Sequence, residues 1–302
     1  MAEKDRISKT LESYNSVFAD ILNVLLFNGK IVVRPDELTP ADTESQYKAD
    51  GKIHGQERDV SKYWSHARFK IVFALENQEK PDKWMPLRLV GYDGASYRKQ
   101  YDVQPKGEKG YPVITLVIYF GKKEWTYGKT LHSCLDIPPM LLPFVNDYKM
   151  NFYAVRDLTP EQIRQFQSDF QAIAEFFYAL NTETDYHPTD KKLEHPNEVL
   201  DMISIFAGDD RFREEYNSMP DKIKEGGITM CEIYDTIHNE GRAEGRAEGR
   251  AEGRAEGRAE GMLKTLLRQI KDGLLTLAQA AMYADMTVEE FEQAAAALQT
   301  ES

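Results

Sequence analysis

Cysteine is nearly missing: Cys134 and Cys231 are the only two in 302 residues. Two distant cysteines make no disulfide framework, and without a C-x-x-C pair they make no zinc knuckle; they read as two reduced thiols. Long apolar runs are missing as well. The longest, Val113 to Phe120, has the length of a buried strand, far short of the roughly 20 residues a membrane span needs. The opening stretch MAEKDRISKTLESYNSVF has no apolar h-region and no cleavage site, so no signal peptide is expected. These absences predict a cytoplasmic protein without membrane contact. Positive charge is in deficit: 38 Lys plus Arg face 50 Asp plus Glu, a formal charge of −12. That makes the chain a poor candidate for binding nucleic acid through bulk charge alone, so any DNA contact is expected at a local site. The six histidines, at 54, 66, 132, 187, 195 and 238, show no paired ligand spacing. No Gly-rich phosphate loop and no serine nucleophile elbow appears.

What is present reads as α/β followed by helix. Val17, Phe18, Ile21, Leu22, Val24 and Leu25 recur at helical spacing within a helix expected over 8 to 28, which Asn28-Gly29 stops. Ile31 to Val33 suggests a short strand, Pro35 to Gly51 a polar loop, and Ile53 to Val60 an extended segment. A turn or short helix is expected around Lys62 to Ala67. Phe69 to Gln78 (FKIVFALENQ) is apolar on both faces until Glu76, the signature of a central strand. Trp84 to Tyr101 reads as a helix, and Tyr111 to Phe120 and Asn151 to Val155 as further strands. A strand, a helix-length crossover and another apolar strand predict a parallel pair. From Thr159-Pro160-Glu161, a helix start signal, Ile163, Phe166, Phe170, Ile173, Phe177 and Leu180 predict one helix. Helices over 196 to 217 and from Ile228 follow.

Residues 241 to 260 are five tandem copies of Gly-Arg-Ala-Glu. The repeat offers only alanine to a core. Its i,i+4 neighbours are like-charged, and each glycine costs about 1 kcal/mol relative to alanine in a helix. In isolation it should fray; between helical flanks it reads either as a spacer or as a solvated helix propagated from them. Three short helices then follow: Met262 to Lys271, Leu275 to Ala284, and Val288 to Leu298, the last with a Thr287/Glu290 capping box. The spacing is that of a helix-turn-helix, but VEEFEQAAAAL carries three glutamates and no Arg or Lys, so a packing or homo-oligomerisation module is expected there rather than a DNA reader. The expected division is 1–185, a helical extension 186–240, the repeat 241–261 and the module 262–302.

One constellation can carry chemistry. Glu76 ends a buried strand, where an uncompensated carboxylate is costly, and Gln78 shares its face. Asp59 lies on the preceding extended segment. If the two segments pair antiparallel, Asp59 and Glu76 converge. Two carboxylates, a backbone carbonyl and water make a Mg²⁺ site, which can polarise a phosphodiester and activate water. The competing reading is a structural ion pair of Glu76 with Arg58, Arg68 or Arg88. Asp20 and Glu57 are accessory acids, each equally readable as a solvated surface charge. Tyr92-Asp93-Gly94 and Tyr97-Arg98 read as either a DNA groove or helix packing.

These residues carry a resemblance. FADILNVLLFNGK (18–30), ERDVSKYW (57–64), FALENQ (73–78), MPLRLVGYDGASYRKQ (85–100), YPVITLVIYFG (111–121) and the stretch from VNDYKMNFYAV to FQSDF (145–170) together resemble the PD-(D/E)XK nuclease superfamily. Within it they resemble the bacterial recombination-promoting nuclease/putative transposase family. The resemblance spans about residues 10 to 180. It implies a restriction-endonuclease-like mixed sheet flanked by helices, DNA as substrate, and Mg²⁺ or Mn²⁺ as cofactor. It implies Asp59 and Glu76 as metal-binding acids, with the Asn77 carbonyl completing the set. Gln78 stands where the superfamily usually has lysine. A glutamine orients water but brings no charge. Arg58, Lys80 and Arg88 are candidates to replace that charge, whereas Lys70 lies about 20 Å away along the strand. The alternative is a non-catalytic nuclease-fold protein that assembles through its helical tail.

Overall fold

In a computed structural model that describes residues 11–49, 52–67, 69–103 and 107–300, the apolar arc of Val17, Phe18, Ile21 and Leu22 builds helix α1 (Asn15–Phe27). Asn28 and Gly29 adopt φ of 53° and 79°, the left-handed stop that this residue pair favours. The strand expected over Ile31 to Val33 does not form. The buried Asn23 amide takes the backbone groups it would have used. It donates to the Val33 carbonyl and accepts from the Val32 and Val33 N–H groups. The segment expected as a loop holds strands β1 (Leu38–Pro40) and β2 (Glu44–Ala49).

Strand β3 (Lys52–Glu57) pairs antiparallel with β2 in a separate ribbon. Strand β4 (Val60–His66) replaces the turn expected around Lys62 to Ala67, because its backbone pairs along the whole free edge of β5 (Phe69–Gln78), from Val60 opposite Leu75 to His66 opposite Phe69. Ala67, at φ 51°, lies in the turn that follows β4. Helix α2 (Met85–Val103) crosses to β6 (Val113–Tyr119), parallel to β5, and β7 (Asn151–Ala154) adds in parallel. The sheet order is β1-β4-β5-β6-β7, antiparallel on one side of β5 and parallel on the other.

Helices cover both faces of this mixed sheet. Met85, Leu89 and Tyr92 of α2 pack on Val117 and Met150. On the opposite face Phe120 meets Phe170 and Phe177. The helix expected from Thr159 is broken. A Thr159/Gln162 capping box starts the single turn α3 (Pro160–Ile163), and α4 (Phe170–Thr182) begins afresh. Between them Asp20 accepts hydrogen bonds from the Gln167 and Ser168 N–H groups and the Ser168 hydroxyl, which holds that backbone out of a helix. Helices α5 (Pro196–Ile203), α6 (Arg211–Ser218) and α7 (Asp221–Glu225) follow. A π-helical turn over Ser204–Gly208 splits the single helix expected over 196 to 217.

The chain divides into two compact units, Met1–Asp235 and Thr236–Ser302. The Gly-Arg-Ala-Glu repeat lies within one continuous helix, α8 (Met230–Lys271). In the second unit, Leu263 and Leu266 of α8, Ala280 and Ala281 of α9 (Leu277–Tyr283) and Phe291 of α10 (Val288–Thr300) form a small core. Thr287 and Glu290 cap α10 reciprocally. Among the described residues no helix is long and apolar enough to cross a membrane.

Candidate active site

The β4–β5 register sets the site. Val60 faces Leu75, so the next residue pair outward is Asp59 and Glu76. Asp59 Oδ2 accepts the Asn77 backbone N–H at 2.7 Å, which fixes the carboxylate beside the strand end that carries Glu76. Glu76 is 2% exposed. Strand alternation sends Glu76 and Gln78 toward α2 and Asn77 to the other face. Both placements are visible in contacts: Arg88 of α2 lies 3.7 Å from Glu76 Oε2, and the Asn77 side-chain amide donates to Glu12 Oε2 at 2.7 Å. Gln78 is half-buried.

Under α2 the buried charges are compensated in a chain. Arg58 binds Asp93 and Ser96. Asp93 also accepts from the hydroxyls of Thr115 and Tyr148. Burial lowers the Arg58 pKa against the opposing pull of Asp93 and Glu76. Burial, then the charge of Glu76, raises the Tyr92 phenol. Tyr92 and Asp93 therefore belong to helix packing rather than to an open groove. The Tyr97 hydroxyl accepts the Val113 N–H while the residue stays exposed, and Arg98 pairs with Asp102 at the surface.

Glu12 was not evident from spacing, being distant in sequence from Asp59 and Glu76. Its one sequence signal is an acid beside Leu11 at the head of the first helical segment. It is fully buried, and burial is the main cause that pushes its carboxyl up to about 8, with the charge of Asp59 adding to the rise. It therefore holds its proton at neutral pH. Glu12 Oε1 and Asn77 Oδ1 are buried and accept no hydrogen bond. The sequence left Asp93 between a groove and helix packing, and its role as the Arg58 partner depends on a contact 35 residues away.

The accessory acids go elsewhere. Asp20 is committed to Gln167 and Ser168, so it ties α1 to the start of α4 rather than joining Asp59. Glu57 ends β3 opposite Glu44, and its side chain lies outside the described residues. Arg68 lies outside them too.

Among the described residues no three His, Cys, Asp or Glu side chains form a ready metal cage. The donor set at the strand end is two carboxylates and neighbouring amide and carbonyl oxygens. These are hard ligands that suit Mg²⁺ or Mn²⁺, which take few protein ligands and retain water.

Comparison with curated proteins and with solved structures gave no match. A family model described as "Putative transposase, YhgA-like" matches residues 66–194, a span that includes Glu76, Asn77 and Gln78 and begins after Asp59. Over that span, less than half of the chain, the protein is similar to the YhgA-like putative transposase family.

Proposed function

We propose that this protein is a Mg²⁺-dependent DNA endonuclease with a PD-(D/E)XK core. The observation that carries the reading is the Asp59 carboxylate held on the Asn77 N–H by the β4–β5 register, because it puts a second acid beside the buried Glu76. Asp59 and Glu76 would hold the ion, with the Asn77 carbonyl as a further donor. Bound there, a divalent cation supplies positive charge to the phosphodiester and acidifies water. Gln78 orients the attacking water through its amide, and the buried network of Arg58, Asp93, Thr115 and Tyr148 keeps the strand end rigid. Hydrolysis joins the water oxygen to phosphorus, breaks one P–O ester bond and protonates the leaving oxygen. A nicking assay on supercoiled plasmid with Mg²⁺ tests the reading. Wild type is expected to nick and Asp59→Ala to lose at least about 100-fold, in the range of a lost electrostatic catalytic group. Equal nicking by both proteins contradicts it.

A second reading has its own support. Arg88 already compensates Glu76, and the second unit exposes Met262, Leu274, Met282, Tyr283 and Val288. A non-catalytic nuclease-fold protein that associates through its C-terminal helices would show both features. Self-association without metal-dependent nicking is the outcome that favours it.

A further inference from the structure

The nuclease reading leaves one chemical gap: Gln78 brings no positive charge to the phosphate. Three cations come from the sequence as replacements, Arg58, Lys80 and Arg88, with Lys70 set aside by distance, and the structure separates them. Lys70 sits over the rings of Tyr63 and Tyr111, 4.3 and 4.8 Å from their centroids, at the far end of β5. Lys80 lines a cleft of about 640 Å³ on the α4 side of the sheet, against Phe120 and Phe177, away from the face that bears Glu76. Arg58 has a side chain only 3% exposed and closed by Asp93. Arg88 differs on every count. It lies on the first turns of α2, on the Glu76 face, 3.7 Å from Glu76 Oε2, and its side chain is 38% exposed. Its guanidinium is braced by Asp82, at 3.3 Å, and by the Tyr92 hydroxyl, at 3.2 Å.

We propose that Arg88 is the phosphate-contacting cation of this site, taking from α2 the place that lysine at position 78 would take from β5. A planar guanidinium has five N–H donors. Asp82 takes Nη1 and Tyr92 takes Nη2, with Glu76 beside Nη2; the side chain is still 38% exposed, which leaves N–H donors for a phosphodiester drawn to the strand end. Arg88 neither gives nor takes a proton. It stabilises charge on the non-bridging oxygens while water's oxygen bonds to phosphorus, the ester P–O bond breaks and the leaving oxygen is protonated. The proposal rests on the nuclease reading for its cleavage step but not for its DNA contact, and the two are measured separately.

The full chain is assayed on a labelled DNA duplex in two ways: cleavage with Mg²⁺, and binding in EDTA as a function of salt. Arg88→Ala is expected to cut about 100-fold slower and to lower the log–log salt slope of binding by about one, the signature of one lost phosphate contact. Adding Gln78→Lys to Arg88→Ala is expected to recover both, which a merely structural partner of Glu76 would not allow. Arg88→Lys keeps a cation beside Glu76 and guards against misfolding. It is expected to fold, to keep the salt slope and to cut about tenfold slower, for want of bidentate geometry. Wild-type cleavage and slope in Arg88→Ala overturn the proposal. So does a loss in Arg88→Ala that Gln78→Lys fails to recover in a folded protein. If wild type does not cleave with Mg²⁺ but the slope still falls in Arg88→Ala, the nuclease reading fails and the phosphate contact stands.

Discussion

Glu76 is buried at a strand end with Arg88 beside it, and what a residue does here depends on which partners the fold delivers to it. The closeness of Asp59 to Glu76 was legible because antiparallel pairing of two extended segments is a local rule. Glu12 and the Arg58–Asp93 pair were not, because no periodicity links residues 65 or 35 positions apart. Asp20 shows the same limit from the other side. An acid flanking the apolar arc reads equally as ligand or surface charge, and only the contact with Ser168, 148 residues on, decides. Replacing Asp20 by alanine leaves two backbone N–H groups without an acceptor. A loss of about 2 kcal/mol is expected by urea denaturation, with cleavage per folded molecule unchanged. A loss of cleavage without a loss of stability would return Asp20 to the site. Glu37 gives a pH prediction. Its bond to the Trp64 indole, then that to His66, pulls its carboxyl down to about 2. A depressed folded-state pKa contributes stability that is complete above the ordinary value near 4.5 and is lost as pH falls toward 2. Glu37→Gln should therefore show a shallower loss of stability between pH 4.5 and 2 in denaturant titrations, and an identical acid limb would contradict this.

Among elements, the strands β5 and β6 were readable because each holds a continuous buried apolar run, from Val72 to Leu75 in β5 and from Leu116 to Tyr119 in β6, and β7 because its four residues keep strand-forming aromatics. β4 was not, since Ser61, Lys62 and Ser65 dilute its apolar content, and its strand form is imposed by the β5 edge. The break before α4 is likewise a tertiary effect, with Asp20 outcompeting helix propagation. The Gly-Arg-Ala-Glu segment is the opposite case: local propensity argues against a helix, and its flanks carry it through. Gly249, Gly253 and Gly257 have open space where a Cβ would stand. Converting all three to alanine should stabilise the helix by about 1 kcal/mol each and slow amide exchange across 241–261 in the full chain. Unchanged exchange would mean that the helix is limited elsewhere. In the second unit Phe291 is wholly buried. Phe291→Ala is expected to cost about 3–5 kcal/mol and to lower the melting of that unit, read by exchange at Ala280 and Ala281, more than that of Met1–Asp235.

For the molecule as a whole, the charge of −12 argues against DNA contact only at long range. The repeat is neutral, and Asp285 to Glu301 carries five acids and no Lys or Arg, so a share of the excess belongs to the second unit and not to the candidate site. Weak, steeply salt-sensitive DNA binding is what the proposed nuclease function predicts for such a chain. The central claim is that Asp59 and Glu76 form one divalent-ion site at the end of β5, and calorimetric titration of the full chain with Mg²⁺ addresses it most directly. Wild type is expected to bind one ion that both Asp59→Asn and Glu76→Gln abolish. Binding of that ion undiminished in either variant, or no binding by wild type, would contradict the account and leave Glu76 as a structural partner of Arg88.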